Sequence, residues 1–599
     1  MADDRNEIRH VNWAELFSFT QIFKGFRLAI HPSKLVLAFA AIALTWLAAQ
    51  GLQSAWKLSS THGYVAPGEI MQYLQPGDAF SKGRQSWLDG RAERAADLAT
   101  SAQSTFVSGF RTKADMTYGS HFQTQFQKLI AEVKFESAKL EGDAAKNVCD
   151  ALGTAKKEIG FAHGKLDTVV TDAFSKAKDQ IKEGKHPTDT TKSLSDSEKK
   201  TALTQLDKEH AKAIQALASQ RATMQSQMDA IRGEGIFTAF ADYQWTCLYN
   251  GIVAVTQGNI FTGLPIAERG TGQVGFLAWM LAGLSGVAWL LSEHVLFGLI
   301  LLVVTLAIWA LLGGAIHRMA ALHATRDEKI SIKQAIQFAL SKWLSFFTAP
   351  LIPLAVVAVF GALIMLGGVA GNLWGFGAIL MGVLLLLGIV MGLVIAFIVV
   401  GLTAGFGLMY PTIAVEGSDS FDAISRSFAY VYARPWRAAL YALVALLYGV
   451  ACYLFVRLFA WIALACTQGF LRWGCWQGGE AYGVNDKVSA MWPAPTFAQL
   501  QPDIPWAHLS GWETVGAGFM WVWIALIVGL TTAFLLSYAS SANTMIYLLL
   551  RRRVDATDMD DVYVQEPQDK PLAEQPATTP EPEPTKPAEK PSDDAEKKE

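Results

Sequence analysis

Six apolar stretches, at 35–52, 295–316, 346–368, 376–405, 438–465 and 515–537, divide this chain. A hydrocarbon core of about 30 Å is crossed by roughly 20 helical residues at 1.5 Å each. Lipid offers the backbone no hydrogen-bonding partner, so each stretch has to be a helix. The stretch at 376–405 exceeds the core thickness and must tilt or protrude. Of the 599 residues 51 % are hydrophobic and 17 % charged. The two kinds are segregated along the chain, so the fold class expected is all-α, a six-span transmembrane helical bundle.

Orientation follows from the short flanks, because Lys and Arg near span ends stay on the cytoplasmic side. Arg5, Arg9, Lys24, Arg27 and Lys34 precede the first span; Arg318, Arg326, Lys329, Lys333 and Lys342 separate the second from the third. Arg426, Arg434 and Arg437 lie between the fourth and fifth, and Arg551, Arg552 and Arg553 follow the sixth. Six spans with both termini cytoplasmic put all four clusters on one side; five or seven would not. The first span starts too far into the chain, and lacks the cleavage site, for a removed signal peptide. The expected location is a bacterial cytoplasmic (inner) membrane.

The flanks have structure of their own. Over 1–34, Trp13, Leu16, Phe17, Phe19, Ile22, Phe23, Phe26 and Ile30 recur at three- and four-residue steps among Lys24 and Arg27, the pattern of an amphipathic helix in the headgroup layer. Residues 329–346, leading to Pro350, and 418–436 repeat that grammar before the third and fifth spans. These are cytosolic interfacial helices.

The insert between spans one and two, 53–275, is expected outside the cytoplasm. Leu203, His210, Leu217, Met224 and Ile231 repeat every seven residues, flanked by Leu206, Ala213 and Met228. Phe122, Phe126, Leu129, Val133, Leu140, Ala144 and Val148 make a comparable face upstream, with a turn-rich run at 184–197 between them. An antiparallel, coiled-coil-like helical hairpin is the simplest solution. The segment 276–291 is apolar but carries Gly283, Ser285 and Gly286 and is short for a crossing, so it reads as an interfacial or re-entrant helix leading into the five-span domain, 292–563. The tail 564–599 holds eight of the 21 prolines among Glu and Lys and is expected to be disordered.

Chemistry is sparse. Four of the five cysteines fall outside the cytoplasm, so Cys149 with Cys247 and Cys466 with Cys475 are candidate disulfides, free thiols being the alternative. No zinc spacing, nucleophile elbow or dinucleotide fingerprint occurs, and GFAHGK at 160–165 falls short of a phosphate loop. No cofactor and no nucleic-acid partner is implied. His210 sits on an apolar stripe, where a seam histidine is commoner than a ligand.

Arg457 lies twenty residues past Arg437, so about 30 Å along a helix, near the outer boundary. Glu293 and His294 precede the second span at the same depth. Glu293, His294 and Arg457 thus form a candidate outer-rim polar site, either an Arg457–Glu293 ion pair or an arginine snorkelling to water. In the cytosolic segment 416–437, Arg426, Arg434 and Arg437 form a candidate headgroup site, against the plainer reading of a structural elbow built on an Asp422–Arg426 pair. Gly388–Gly392 and Gly401–Gly405 permit close helix approach in the fourth span.

The stretch EGSDSFDAISRSFAYVYARPWR at 416–437, with SANTMIYLLLRRRVDATDMDDVY at 541–563, is similar to uncharacterised bacterial multi-pass proteins. These resemble loosely the membrane domain that accompanies glycerophosphodiester phosphodiesterases. The resemblance spans roughly 295–563 and implies a fold class; the phosphodiesterase domain itself is absent. The function expected is a membrane-organising, tethering or scaffold protein whose hairpin binds a protein partner, with the lipid bilayer as its other partner and homo-oligomerisation open. A transporter or lipid-handling protein should instead show a cavity between spans three to six. A membrane enzyme acting on lipid needs titratable groups converging near Arg457, Glu293 and His294, or near Glu416, Asp419 and Asp422.

Overall fold

The computed structural model describes residues 18–59, 64–66, 68–73, 80–87, 144–186, 193–261, 274–373, 376–475, 486–502 and 511–563, with single positions 90, 94, 128, 504, 506 and 509. Trp13 to Phe17, the face expected from Phe122 to Leu140, the side chain of Cys149 and the tail 564–599 lie outside them. The described chain is all-α apart from two two-residue strands. Seven of its helices are long and apolar enough to cross a membrane.

A 3₁₀ turn, Ser18–Phe23, runs into α1 (Lys24–Ala29) and then α2 (Pro32–Ser59), which starts on a proline suited to a first helical position. After β1 (Tyr64–Val65) and α3 (Glu69–Tyr73) come α4 (Ala144–Lys182) and α5 (Asp196–Arg232), then β2 (Glu234–Gly235), α6 (Ile236–Thr256) and α7 (Phe276–Glu293). The remaining elements are α8 (Val295–Thr325), α9 (Ile332–Ser341), α10 (Trp343–Ala370), α11 (Gly377–Glu416), α12 (Ser420–Ala433), α13 (Pro435–Gly474), α14 (Lys487–Met491) and α15 (Gly511–Val554).

Helices α8, α11, α13 and α15 overrun the spans read from hydropathy. Leu37, Ala38 and Ala41 of α2 pack against Leu312, Ala315 and Ile316 of α8 and Ala533 of α15, small residues that let the helices approach closely. Tyr538 of α15 lies over Gly449 of α13 and donates to the Ala445 carbonyl at 2.8 Å. Of the two glycine pairs in α11, Gly401 and Gly405 receive the Phe428 ring, whereas Gly388 and Gly392 have open space around them.

The interfacial segments are more deeply built in than amphipathicity suggests. Ile22 and Leu28 are buried, Ser537 donates to the Ala29 carbonyl at 2.8 Å, and Phe26 meets Phe534 edge-on, while Phe23 and Ile30 stay exposed. Residues 329–346 are two helices, not one. Ser331 and Gln334 form a capping box that starts α9, and the chain breaks at Lys342 before α10.

The glycines and serine that made 276–291 an awkward span are a docking surface. Tyr243 of α6 lies against Gly286, where a Cβ would sit 2.8 Å from its ring, and donates to the Ala282 carbonyl at 2.9 Å; Gln244 donates to the Gly283 carbonyl at 2.8 Å. At the other end of this α6–α7 pair, Ile252 and Val255 pack on Val450 and Tyr453 of α13.

Helices α4 and α5 pair along a stripe of Leu166, Val170, Ala173, Ala177 and Ile181 against Leu206, Leu217, Met224, Met228 and Ile231, all buried. Gly184, at φ +83°, turns the chain, and Leu194 donates back to its carbonyl at 2.8 Å. His210 stacks on Phe174 at 3.9 Å, as a seam residue does. The pair returns to the end of α2 through antiparallel β1–β2 and through Gln53, whose side chain bonds Thr238 at 3.0 and 3.1 Å.

The disulfide expectations are not realised among the described residues: Cys247, Cys466 and Cys475 are free thiols. Cys247 is buried against α7 beside Tyr243 and Gly283, and that burial raises its thiol above the usual range. Cys466 lies in α13 and Cys475 just past its end. Nine residues of rise separate them by about 13 Å, beyond the reach of an S–S bond.

Candidate functional site

Described members of the four basic clusters, among them Arg27, Arg318, Arg426 and Arg551, lie at one end of the bundle, the basic end. Its centre is Glu416, the last residue of α11, where Gly417 at φ +64° stops the helix. The Glu416 side chain is 9 % exposed. It takes the Tyr547 hydroxyl of α15, lies 3.2 Å from Arg551 Nε, and pairs with Arg426 of α12 at 2.9 Å. Arg426 also pairs with Asp422 at 2.9 Å. Those bonds, Asp422 first and Glu416 after it, hold its guanidinium above the ordinary arginine value. Tyr430 donates to Asp555, and burial followed by that carboxylate raises its phenol.

The segment 555–563 straps these helix ends together. Arg551 donates to the Asp561 carbonyl at 2.6 Å, and Arg318 of α8 donates to the carbonyls of Ala414 at 2.7 Å and Tyr563 at 2.6 Å. The Tyr563 N–H closes on Val415 at 2.8 Å, and Arg318 stacks on the Phe338 ring at 4.3 Å. Both charges and helix-terminal carbonyls are consumed here, as helix ends require. The carboxylates read as possible enzyme groups are therefore engaged structurally: Glu416 by three side chains, Asp422 by Arg426, and Asp419 as the cap of α12, accepting from the Asp422 N–H at 2.9 Å. Arg434 and Arg437 are exposed on the α12–α13 elbow, apart from the ion pairs of Arg426.

Sequence reasoning passed over Lys34 as a flanking charge. It is 1 % exposed, and its ammonium has no hydrogen-bonding partner among the described residues. Nearby, the His31 and His323 rings meet edge-on with centroids 5.6 Å apart, and Asp327 lies 3.4 Å from both His323 and Arg27. Burial, then Lys34 and Lys329, push the His31 imidazole below its usual value. Its position two residues after Pro32 was the available signal, since the first turn of a packed helix cannot swing out to water.

At the opposite end, Arg457 is neither paired with Glu293 nor extended to water. It is 5 % exposed. Its Nε donates to the Phe497 carbonyl at 2.9 Å, Nη2 to the Ala498 carbonyl at 2.7 Å, and Nη1 to the Tyr453 hydroxyl at 2.9 Å. A turn aims those carbonyls: Thr496 Oγ1 accepts from the Gln499 N–H at 3.0 Å, while Trp492 and Leu500 anchor the loop against Ala460, Leu464 and Ile524. Rings of Phe497, Tyr249 and Tyr453 surround the guanidinium at 5.6, 5.8 and 6.0 Å. Glu293 instead pairs with Arg84 at 2.7 Å, and His294, the hinge between α7 and α8, packs edge-on to Trp289 at 5.0 Å. The predicted trio is thus split in two. A cavity of about 440 Å³ opens beside Arg457, between α6 and α13.

Among the described residues no group of His, Cys, Asp and Glu is arranged to hold a metal ion. Comparison with family models, with curated proteins and with solved structures gives no match.

Proposed function

We propose that this protein is a bacterial inner-membrane scaffold, with six crossings and both termini cytoplasmic, that anchors the α4–α5 hairpin outside the cytoplasm for a protein partner. The observation that carries this reading is the hairpin itself. It is 37 to 39 residues a side, so about 55 Å long, and among the described residues each helix packs mainly on the other. It is clamped to the rest of the molecule at the end of α2 remote from the basic clusters. Inside the bundle, the carboxylates around Glu416 serve fastening, which favours anchoring over catalysis.

Six crossings, with α6–α7 re-entrant, fit the contacts of that pair. Its inner end touches α13 at Val450 and Tyr453, still about 20 Å from Arg437 along the helix. Meeting of the basic clusters at one end also accords with an even number of crossings and the positive-inside bias.

Photo-crosslinking amino acids placed at the exposed positions Phe161 and Gln205 of the full-length protein, in its own membrane, test the proposal. A discrete adduct with the same protein from both positions, and none from an exposed control on α12 such as Phe421, supports it. Adducts only with bulk lipid or none at all would sink it, as would turnover of a lipid or solute by the purified protein.

A further inference from the structure

We propose that the cavity beside Arg457 binds an amphiphile with an anionic head, drawn from the leaflet at that end of the bundle. This goes beyond the scaffold reading and is independent of the hairpin. A guanidinium removed from water needs either a counter-charge or a full set of acceptors. Arg457 has three neutral acceptors and no carboxylate among the described residues. Two of its five N–H groups are left for a ligand. The three aromatic rings favour the cation electrostatically, but they cannot neutralise it.

The rest of the cavity fixes the other half of the ligand. Ile252 and Val253 of α6 and Leu454 and Leu458 of α13 line it with hydrocarbon. A volume of about 440 Å³ lies within the usual range of small-molecule sites, about 300–1,000 Å³. A small inorganic anion would satisfy the guanidinium and leave that wall unfilled; a neutral lipid would do the reverse. Only a molecule with both parts matches. Depth agrees, because Arg457 stands twenty residues, about 30 Å, beyond Arg437, where a headgroup or fatty carboxylate resides. The loop carbonyls that hold Arg457 also fix its direction, so the site is built before the ligand arrives.

The full-length protein in nanodiscs, released into native mass spectrometry, tests this with three additives: phosphatidylglycerol, phosphatidylcholine and oleate. Wild type should retain one phosphatidylglycerol or one oleate under activation that strips phosphatidylcholine; which of the two survives identifies the source. Arg457→Gln should cut the retained fraction at least tenfold. Val253→Trp, which fills the cavity and leaves Arg457 untouched, should do the same and decides the matter if the first variant does not fold. Equal retention of phosphatidylglycerol, oleate and phosphatidylcholine by wild type overturns the proposal. So does unchanged retention in Val253→Trp.

Discussion

Arg551, in the last turn of α15, and Arg457, midway along α13, are both buried arginines, and they are treated in opposite ways. Arg551 is drawn into a set of carboxylates and carbonyls contributed by α11 and the 555–563 strap, with Arg426 from α12 facing it across Glu416. Arg457 meets carbonyls and aromatic rings but no carboxylate among the described residues, and has a cavity at its side. The basic end is closed by matched charges from distant parts of the chain. The opposite end is held open around an unmatched one. Matched charge stabilises an assembly of helices; unmatched charge beside a void leaves something for a ligand to complete.

The largest test of that contrast removes Glu416. Glu416→Ala leaves Arg551 and Arg426 facing each other without their shared carboxylate, and loss of one partner in such a buried set costs about 3–5 kcal/mol. A large fall in the thermal midpoint in detergent is expected, with a smaller one for Glu416→Gln; a negligible change would mean the network is ornamental. Arg457→Ala should cost less, about 1–3 kcal/mol for the acceptors left without a donor. Its effect should be confined to 492–500 and α13 in hydrogen exchange. Spread of that effect to α12 would erase the distinction between the two ends.

Lys34 sharpens the comparison from the other side, as an unmatched charge at the matched end. Its ammonium has no acceptor among the described residues, so Lys34→Met should stabilise the protein by about 1–2 kcal/mol. A lower midpoint in that variant would reveal an unrecognised partner. The smallest effect concerns Asp486, which lies 2.5 Å from Arg472 and caps α14. Burial opposes its charge, but the Ser489 N–H and Arg472 prevail and hold the carboxyl below the usual range. A depressed folded value means its stabilisation is present above the ordinary aspartate value, about 3.9. That stabilisation is lost as pH falls through the folded value. Proteolysis near 486–502 should therefore rise below about pH 4, and Asp486→Asn should abolish the change.

Much of the architecture was legible in residue order. The apolar cores of the membrane-length helices and the Asp422–Arg426 pair rest on spacings within one or two helical turns. The site was far less so. Arg457 stands out in the sequence as a charge within an apolar stretch, but its partners, at 497 and 498, lie about forty residues on in a loop with no charge to advertise them. Neither option offered for Arg457, a pair with Glu293 or a head in water, is realised: Glu293 pairs with Arg84, because equal depth does not distinguish which helices are neighbours. The cysteine pairs failed for a similar reason: compartment alone made them eligible, while helix geometry separates Cys466 from Cys475.

Which segments are oily, and which carry charge, is a property of composition along the chain, and water and lipid would sort it the same way in any arrangement. That much, with the helical character it forces on the backbone, belonged to the sequence by itself. Helix ends, the partners of each buried charge and the cavity beside Arg457 arise from side chains tens to hundreds of residues apart arriving at one place. Hydrogen bonds and close packing act over a few ångströms, so only the folded arrangement could decide them.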